Sequence, residues 1–113
     1  MCIFCKIISR EIPSRIVYED ESIICIHDLQ PVAPVHVLLI PKKHYADILD
    51  LAQTENGGEV MAVVLATLEK IVPLLGLEEG FRLINNCKEY GGQSVMHLHF
   101  HLLGKREMGQ IFI

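Results

Sequence analysis

The segment His97-Leu98-His99-Phe100-His101-Leu102-Leu103 sets three histidines at strict period two with large apolar residues between them. Three of the six histidines of the chain stand in this one stretch. Successive side chains of a strand point to opposite faces. The spacing therefore predicts an extended segment over 97–103. Leu98, Phe100 and Leu102 would enter a core, and His97, His99 and His101 would line up on the other face, roughly 6.5 to 7 Å between neighbours. Wound into a helix, the same three would diverge by about 100° per residue and share no site.

A sheet built only for stability would favour threonine or valine at these positions, so the ladder points to chemistry. Neutral imidazole is a common metal ligand, but three same-face residues of one strand span about 13 Å end to end. Zinc-bound nitrogens lie within about 2.1 Å of the ion, so one or two of the histidines suit a given metal and not easily all three. Nucleophilic and acid–base work fits the ladder better. An imidazole with a pKa of about 6.5 is largely neutral at physiological pH, and its ring nitrogen can attack phosphorus to give a covalent intermediate. Neighbouring histidines disfavour each other's protonation and donate hydrogen bonds to phosphoryl oxygens as charge develops.

Composition narrows the partners. A length of 113 residues suits one domain, 1–113. Half of the residues are hydrophobic, which is apolar for a small chain with much surface for its volume. That excess predicts apolar surface covered by another subunit. A formal charge of −4 argues against nucleic acid, whose phosphates call for a basic patch. Lys42-Lys43 and Lys105-Arg106 are the longest basic runs. The start lacks a charged segment followed by an apolar one of signal-peptide type, and no apolar run approaches the ~20 residues of a membrane span. The expectation is a cytoplasmic protein with no membrane partner, in which cysteines stay reduced.

Along the chain, residues 2–8 fit a short helical turn that Pro13 keeps from running far. Val17 to Tyr18 and Ser22 to His27 read as strands joined by the acidic turn Glu19-Asp20-Glu21. A loop with Pro31 and Pro34 leads to the apolar run Val35 to Ile40, broken only by His36 and ended by Pro41. Thr54 is placed to cap a long helix, although Asn56-Gly57-Gly58 weakens its first turn. From Val60 to Leu75 the apolar positions cover an arc of roughly 200° at the helical repeat. That is about twice the minimum stripe of a helix packed on one core, and predicts burial on two sides, the second against another subunit. Gly76 closes the helix. Phe81 to Asn85 reads as a strand, and 86–92 as a polar loop ending in glycine. The sum is an α+β fold: a five-stranded antiparallel sheet with one long and one short helix.

The segment 97–103 matches the His-φ-His-φ-His-φ-φ signature of the histidine triad superfamily, and the chain resembles that family over nearly its whole length. Cys2-Ile3-Phe4-Cys5-Lys6-Ile7-Ile8, Glu11-Ile12-Pro13, Tyr18-Glu19-Asp20, His27-Asp28, Ala33-Pro34-Val35-His36, Ile40-Pro41-Lys42-Lys43-His44 and Gly91-Gly92-Gln93-Ser94-Val95 are similar to its Hint branch of purine nucleoside phosphoramidases. The resemblance implies a two-fold homodimer, paired across the long helix and an edge strand, that hydrolyses purine nucleoside 5′-phosphoramidates through a nucleotidyl-histidine. His99 would be the nucleophile, His101 would hold the phosphate, and Ser94 would bond the leaving amine. His97 and His36 would orient the site, and Asp28 would accept bonds from ribose hydroxyls. Phe4, Ile7, His27, Leu29 and Leu38 would wall the base, while Asn86, Gly92, Gln93 and Val95 would lie against phosphate and sugar. No organic cofactor or catalytic metal is expected.

Cys2-x-x-Cys5 has chelating spacing, and no strand precedes it as a thioredoxin-like motif would require. Two further soft ligands would complete a tetrahedral site; without them the pair is two free thiols. By the resemblance the partners are His44 and His97, holding a structural zinc. Cys25 and Cys87 read as core or surface thiols. The family pattern continues after the triad with a second glycine and a tryptophan–proline tail; this chain has Gly104-Lys105 and ends Gln110-Ile111-Phe112-Ile113. The leaving-group preference therefore stays open, as does adenine against guanine. Alternatives on the same scaffold are dinucleoside polyphosphate hydrolysis, and nucleotide-dependent scaffolding with incidental catalysis.

Overall fold

The computed structural model describes residues 2–109; the terminal segment with Gln110-Ile111-Phe112-Ile113 lies outside the described residues. A short helix α1 (Ile3–Ile8) opens the chain, followed by strands β1 (Ile16–Glu19), β2 (Ile23–His27) and β3 (Val35–Pro41). Helices α2 (Ile48–Ala52) and α3 (Gly57–Leu75) come next, then β4 (Arg82–Ile84) and β5 (Phe100–Gly104). The strands form one five-stranded sheet in the order β1-β2-β3-β5-β4, antiparallel at every pairing. This is the α+β arrangement expected from the sequence.

The central strands are buried on both faces, which explains why β3 reads as a continuous apolar run. On one face Val37, Leu39, Leu98, Phe100 and Leu102 pack with Val64 and Ile71 of α3 and Leu51 of α2. On the other, Ile24, Ile26, Leu38 and Ile40 pack with Phe4 and Ile7 of α1. Helix α1 is therefore a lid over the face that the histidines share.

Three expectations need correction. The extended segment 97–103 is a ladder strand only from Phe100. The β3–β5 register pairs Leu39 with Phe100 and would next set Pro41 against Leu98. Proline has no N–H to donate, so the ladder stops there. The Leu98 N–H goes instead to the Tyr45 carbonyl at 2.7 Å. The alternation of faces survives, because Leu98, Phe100 and Leu102 share one core. Second, Thr54 does not cap the long helix. Its hydroxyl donates to the Leu51 carbonyl at 2.7 Å, and α3 begins after Asn56 without a side-chain cap. Third, α2 is an additional short helix, started by Asp47, whose carboxylate accepts the Asp50 N–H at 2.8 Å. Gly76 closes α3 at φ 69°, as its position predicts. Among the described residues no helix is long and apolar enough to cross a membrane.

Candidate active site and metal centre

Strand β5 and the residues before it carry the triad, and backbone carbonyls set its protons. His99 Nδ1–H donates to the His97 carbonyl at 2.7 Å, which leaves Nε2 as the ring's free lone pair. Asn85 steadies the same stretch by donating from Nδ2 to the His99 carbonyl at 3.0 Å. The Val32 N–H donates to His36 Nδ1 at 3.2 Å, so the His36 proton sits on Nε2. That proton is donated to His101 Nδ1 at 2.9 Å, and the His101 proton is therefore on Nε2. The hydrogen bonds assign all three tautomers: a lone pair on His99 Nε2 beside a donor on His101 Nε2. The two rings lie 5.1 Å apart between centroids.

Burial keeps these rings neutral. It lowers the pKa of His99 and of His36, in both cases against the pull of the Asp28 carboxylate. Burial, with His99 and His36 alongside, pushes His101 down to about 4. Asp28 is held by the Gln30 N–H on Oδ1 at 2.7 Å, and its Oδ2 lies 3.5 Å from His36 Nε2.

A cavity of about 300 Å³ opens over His99 and His101, and its walls include Phe4, Ile7, His27, Asp28, Leu29, Leu38, Ser94 and Val95. Ten of the residues singled out from the sequence thus meet around one space. His36 stands behind His101 instead of on the wall. Three others differ from expectation. Gln93 is a loop clamp: its Nε2 donates to the Ala46 and Val95 carbonyls at 2.7 and 2.9 Å, and its Oε1 accepts the Lys88 N–H at 2.7 Å. Gly92 adopts φ 78° to shape that loop, and Asn86 also lies off the wall. The loop's task is to deliver Ser94 and Val95. Ser14, Arg15 and Gln30 line the cavity as well, and so does Ile12 of the Glu11-Ile12-Pro13 segment; no motif marks the first three, since they sit in irregular stretches whose side chains carry no periodic signal.

His97 corrects the expectation of three rings in one cavity. Its Nε2–H donates to the Pro41 carbonyl at 2.8 Å, and its Nδ1 faces away toward Cys2, Cys5 and His44. The Cys2 sulfur also accepts the Cys5 N–H at 3.2 Å, starting α1. His97 Nδ1 lies 3.3 Å from Cys2 Sγ and 3.6 Å from Cys5 Sγ. His44 Nδ1 lies 3.7 and 3.4 Å from the same sulfurs and 3.1 Å from His97 Nδ1. A tetrahedral zinc with ordinary bond lengths would hold sulfur and nitrogen ligands about 3.5 Å apart and nitrogen ligands about 3.3 Å apart. The four donors fit that ion. The Pro41 carbonyl on the far nitrogen of His97 is the outer hydrogen bond that such ligands make.

The HIT domain family model matches residues 9–108, and the chain belongs to the HIT family. It is 43% identical over 103 residues to Protein HitA of Neisseria gonorrhoeae, covering 91% of this chain and 94% of that one. It is 42% identical over 106 residues to a 14 kDa zinc-binding protein of Brassica juncea, covering 94% of each. Among solved structures, a HIT family hydrolase from Clostridium thermocellum superposes with a TM-score of 0.92 at 47% identity, over 99% of this chain and 96% of that one.

Proposed function

We propose that this protein is a nucleotide-binding hydrolase that cleaves the P–N bond of purine nucleoside 5′-phosphoramidates, as in the Hint branch. One observation carries the reading: the 2.7 Å bond from His99 Nδ1–H to the His97 carbonyl leaves a neutral ring with its Nε2 lone pair free at the cavity. The base lies among Phe4, Ile7, His27, Leu29 and Leu38, and Asp28 accepts from the ribose hydroxyls. His99 Nε2 attacks the α-phosphorus in line, forming a P–N bond to the ring as the bond to the substrate nitrogen breaks. The amine leaves past Ser94, taking up a proton within the site. His101 Nε2–H donates to the phosphoryl oxygens as their charge grows. Water then displaces His99, releasing the nucleoside monophosphate and restoring the neutral ring. Splitting one hard displacement into two is the gain of covalent catalysis.

The similarity to the hydrolase from Clostridium thermocellum supports the reaction class. Cys2, Cys5, His44 and His97 would hold a zinc ion, a reading supported by the donor spacing and by the zinc-binding relative of Brassica juncea. Bound there, the ion ties α1 to the sheet. A second copy of the chain covers the apolar residues that α3 leaves exposed, such as Leu65 and Leu74, together with Phe81 beside the edge strand β4. A solution mass near twice 12.8 kDa is expected.

Turnover of adenosine 5′-phosphoramidate, compared with diadenosine polyphosphates, tests the reading. The phosphoramidate should be the better substrate, and His99→Ala should lower its kcat by at least about 10⁴-fold. Faster cleavage of the polyphosphates, or activity retained by His99→Ala, would overturn it.

A further inference from the structure

Arg106 lies two residues beyond β5 and is not part of the cavity wall, yet its guanidinium donates from Nη1 to the Val32 carbonyl at 3.0 Å. The same Val32 gives its N–H to His36 Nδ1 at 3.2 Å, and His36 Nε2–H donates to His101 Nδ1 at 2.9 Å. Among the described residues, these two bonds at Val32 are the only side-chain hydrogen bonds to residues 31–34. Val32 itself is 59% exposed, so packing does little to hold it. Its loop also carries Asp28, Leu29 and Gln30 of the cavity wall.

The direction of this chain of bonds matters more than its length. A neutral imidazole carries one proton, and whichever nitrogen accepts a bond leaves the other to donate. With Val32 N–H in place, His36 donates to His101, and His101 keeps its own proton on Nε2. If Val32 withdrew, His36 Nδ1 would be free to take the proton. His36 Nε2 would then accept from His101 Nδ1–H, and His101 would lose the Nε2 donor.

We propose that Arg106 is a positioning residue: by pinning Val32 it holds His36 and His101 in the tautomers that make His101 a hydrogen-bond donor toward the phosphoryl group. The role of His101 in this statement rests on the function proposed above. The backbone is bent to deliver the guanidinium. Lys105 adopts φ 65°, a left-handed conformation that costs a non-glycine residue energy, and the turn brings Arg106 onto the loop. A guanidinium suits the task because it stays protonated at any working pH and offers five donors.

The test is the ring ¹⁵N shifts of His36 and His101 by NMR, alongside steady-state kinetics, in wild type, Arg106→Met, Arg106→Gln and Arg106→Lys. Wild-type shifts should report Nε2–H in both rings. Arg106→Met and Arg106→Gln should move both toward a tautomer mixture, with kcat lowered about 10-fold and KM within about two-fold. Arg106→Lys should restore much of both, since its side chain is long enough to carry a donor to Val32, which the shorter Gln is not. Unchanged ring shifts in folded Arg106→Met and Arg106→Gln would overturn the proposal whatever the turnover. A wild type inactive on phosphoramidates, with ring shifts that still respond to Arg106, would leave the positioning role standing and remove only the proposed reaction.

Discussion

His97 and His99 are two residues apart on the same face, yet they belong to different chemistry. His99 sits 3% exposed under the cavity, and its Nε2 has no hydrogen-bond partner among the described residues. His97 is fully buried, with one nitrogen on a carbonyl and the other among two sulfurs and a second imidazole. The difference lies in what covers them. Phe4 of α1 stands edge-on to both rings, 5.9 Å from His97 and 4.9 Å from His99 between centroids, and divides one face into two compartments. Periodicity in a strand chooses the face of a side chain; the element laid over that face chooses its neighbours. The two compartments still share a part, because the His97 carbonyl that fixes His99 belongs to a residue of the sulfur cluster.

The largest expected effect separates the compartments. Replacing Cys2 and Cys5 together with serine should remove bound zinc and lower Tm by about 10 °C. Metal content and thermal unfolding check this. Affinity for adenosine monophosphate should change by less than about three-fold. A much greater loss of nucleotide affinity would break the division and make the shared His97 carbonyl and Phe4 the dominant link.

A smaller effect concerns protons. His101 titrates near 4 in the folded protein and about 6.5 in an unfolded chain. Between those values the unfolded chain binds more protons, so stability falls as pH drops from about 6.5 toward 4. Burial shifts His36 and His99 in the same direction. His101→Asn should flatten that slope in denaturant melts across the window, and its effect should fade as pH rises above about 6.5. An unchanged slope would place the acid sensitivity in His36 and His99 instead.

The strand alternation, the acidic turn at Asp20 and the long helix are legible in the sequence because each is a local pattern of burial or turn chemistry. Asp20 Oδ1 indeed accepts the Ser22 and Ile23 N–H groups at 2.8 and 3.1 Å. The outward face of α3 is legible in the same way, as a stripe too wide for one core. What escapes is set by partners distant in sequence. Gln93 is a polar residue in a glycine loop beside Ser94, and only the fold shows that its amide is consumed by Ala46, Val95 and Lys88. Asn85, and not its neighbour Asn86, is the residue that reaches the His99 carbonyl. The ladder's early end depends on Pro41 falling opposite Leu98, a matter of register and not of composition.

The smallest effect sharpens the edge of the cavity compartment. Lys105 stands where the family pattern has its second glycine, and its φ of 65° is glycine's ground. Its Nζ reaches the end of α3, close to Gly76, and offsets part of the strain by meeting the helix's negative pole. Lys105→Gly should therefore raise stability by no more than about 1 kcal/mol in urea melts. It should leave kcat unchanged, because Arg106 keeps its turn.

The most direct measurement is intact-protein mass spectrometry after a rapid alkaline denaturing quench, taken during turnover of adenosine 5′-phosphoramidate. An added adenylyl mass that maps to His99, absent from His99→Ala, is the predicted result. Turnover with no adduct at any quench time, or an adduct mapped to His97 or His101, would contradict the assignment of His99 as nucleophile.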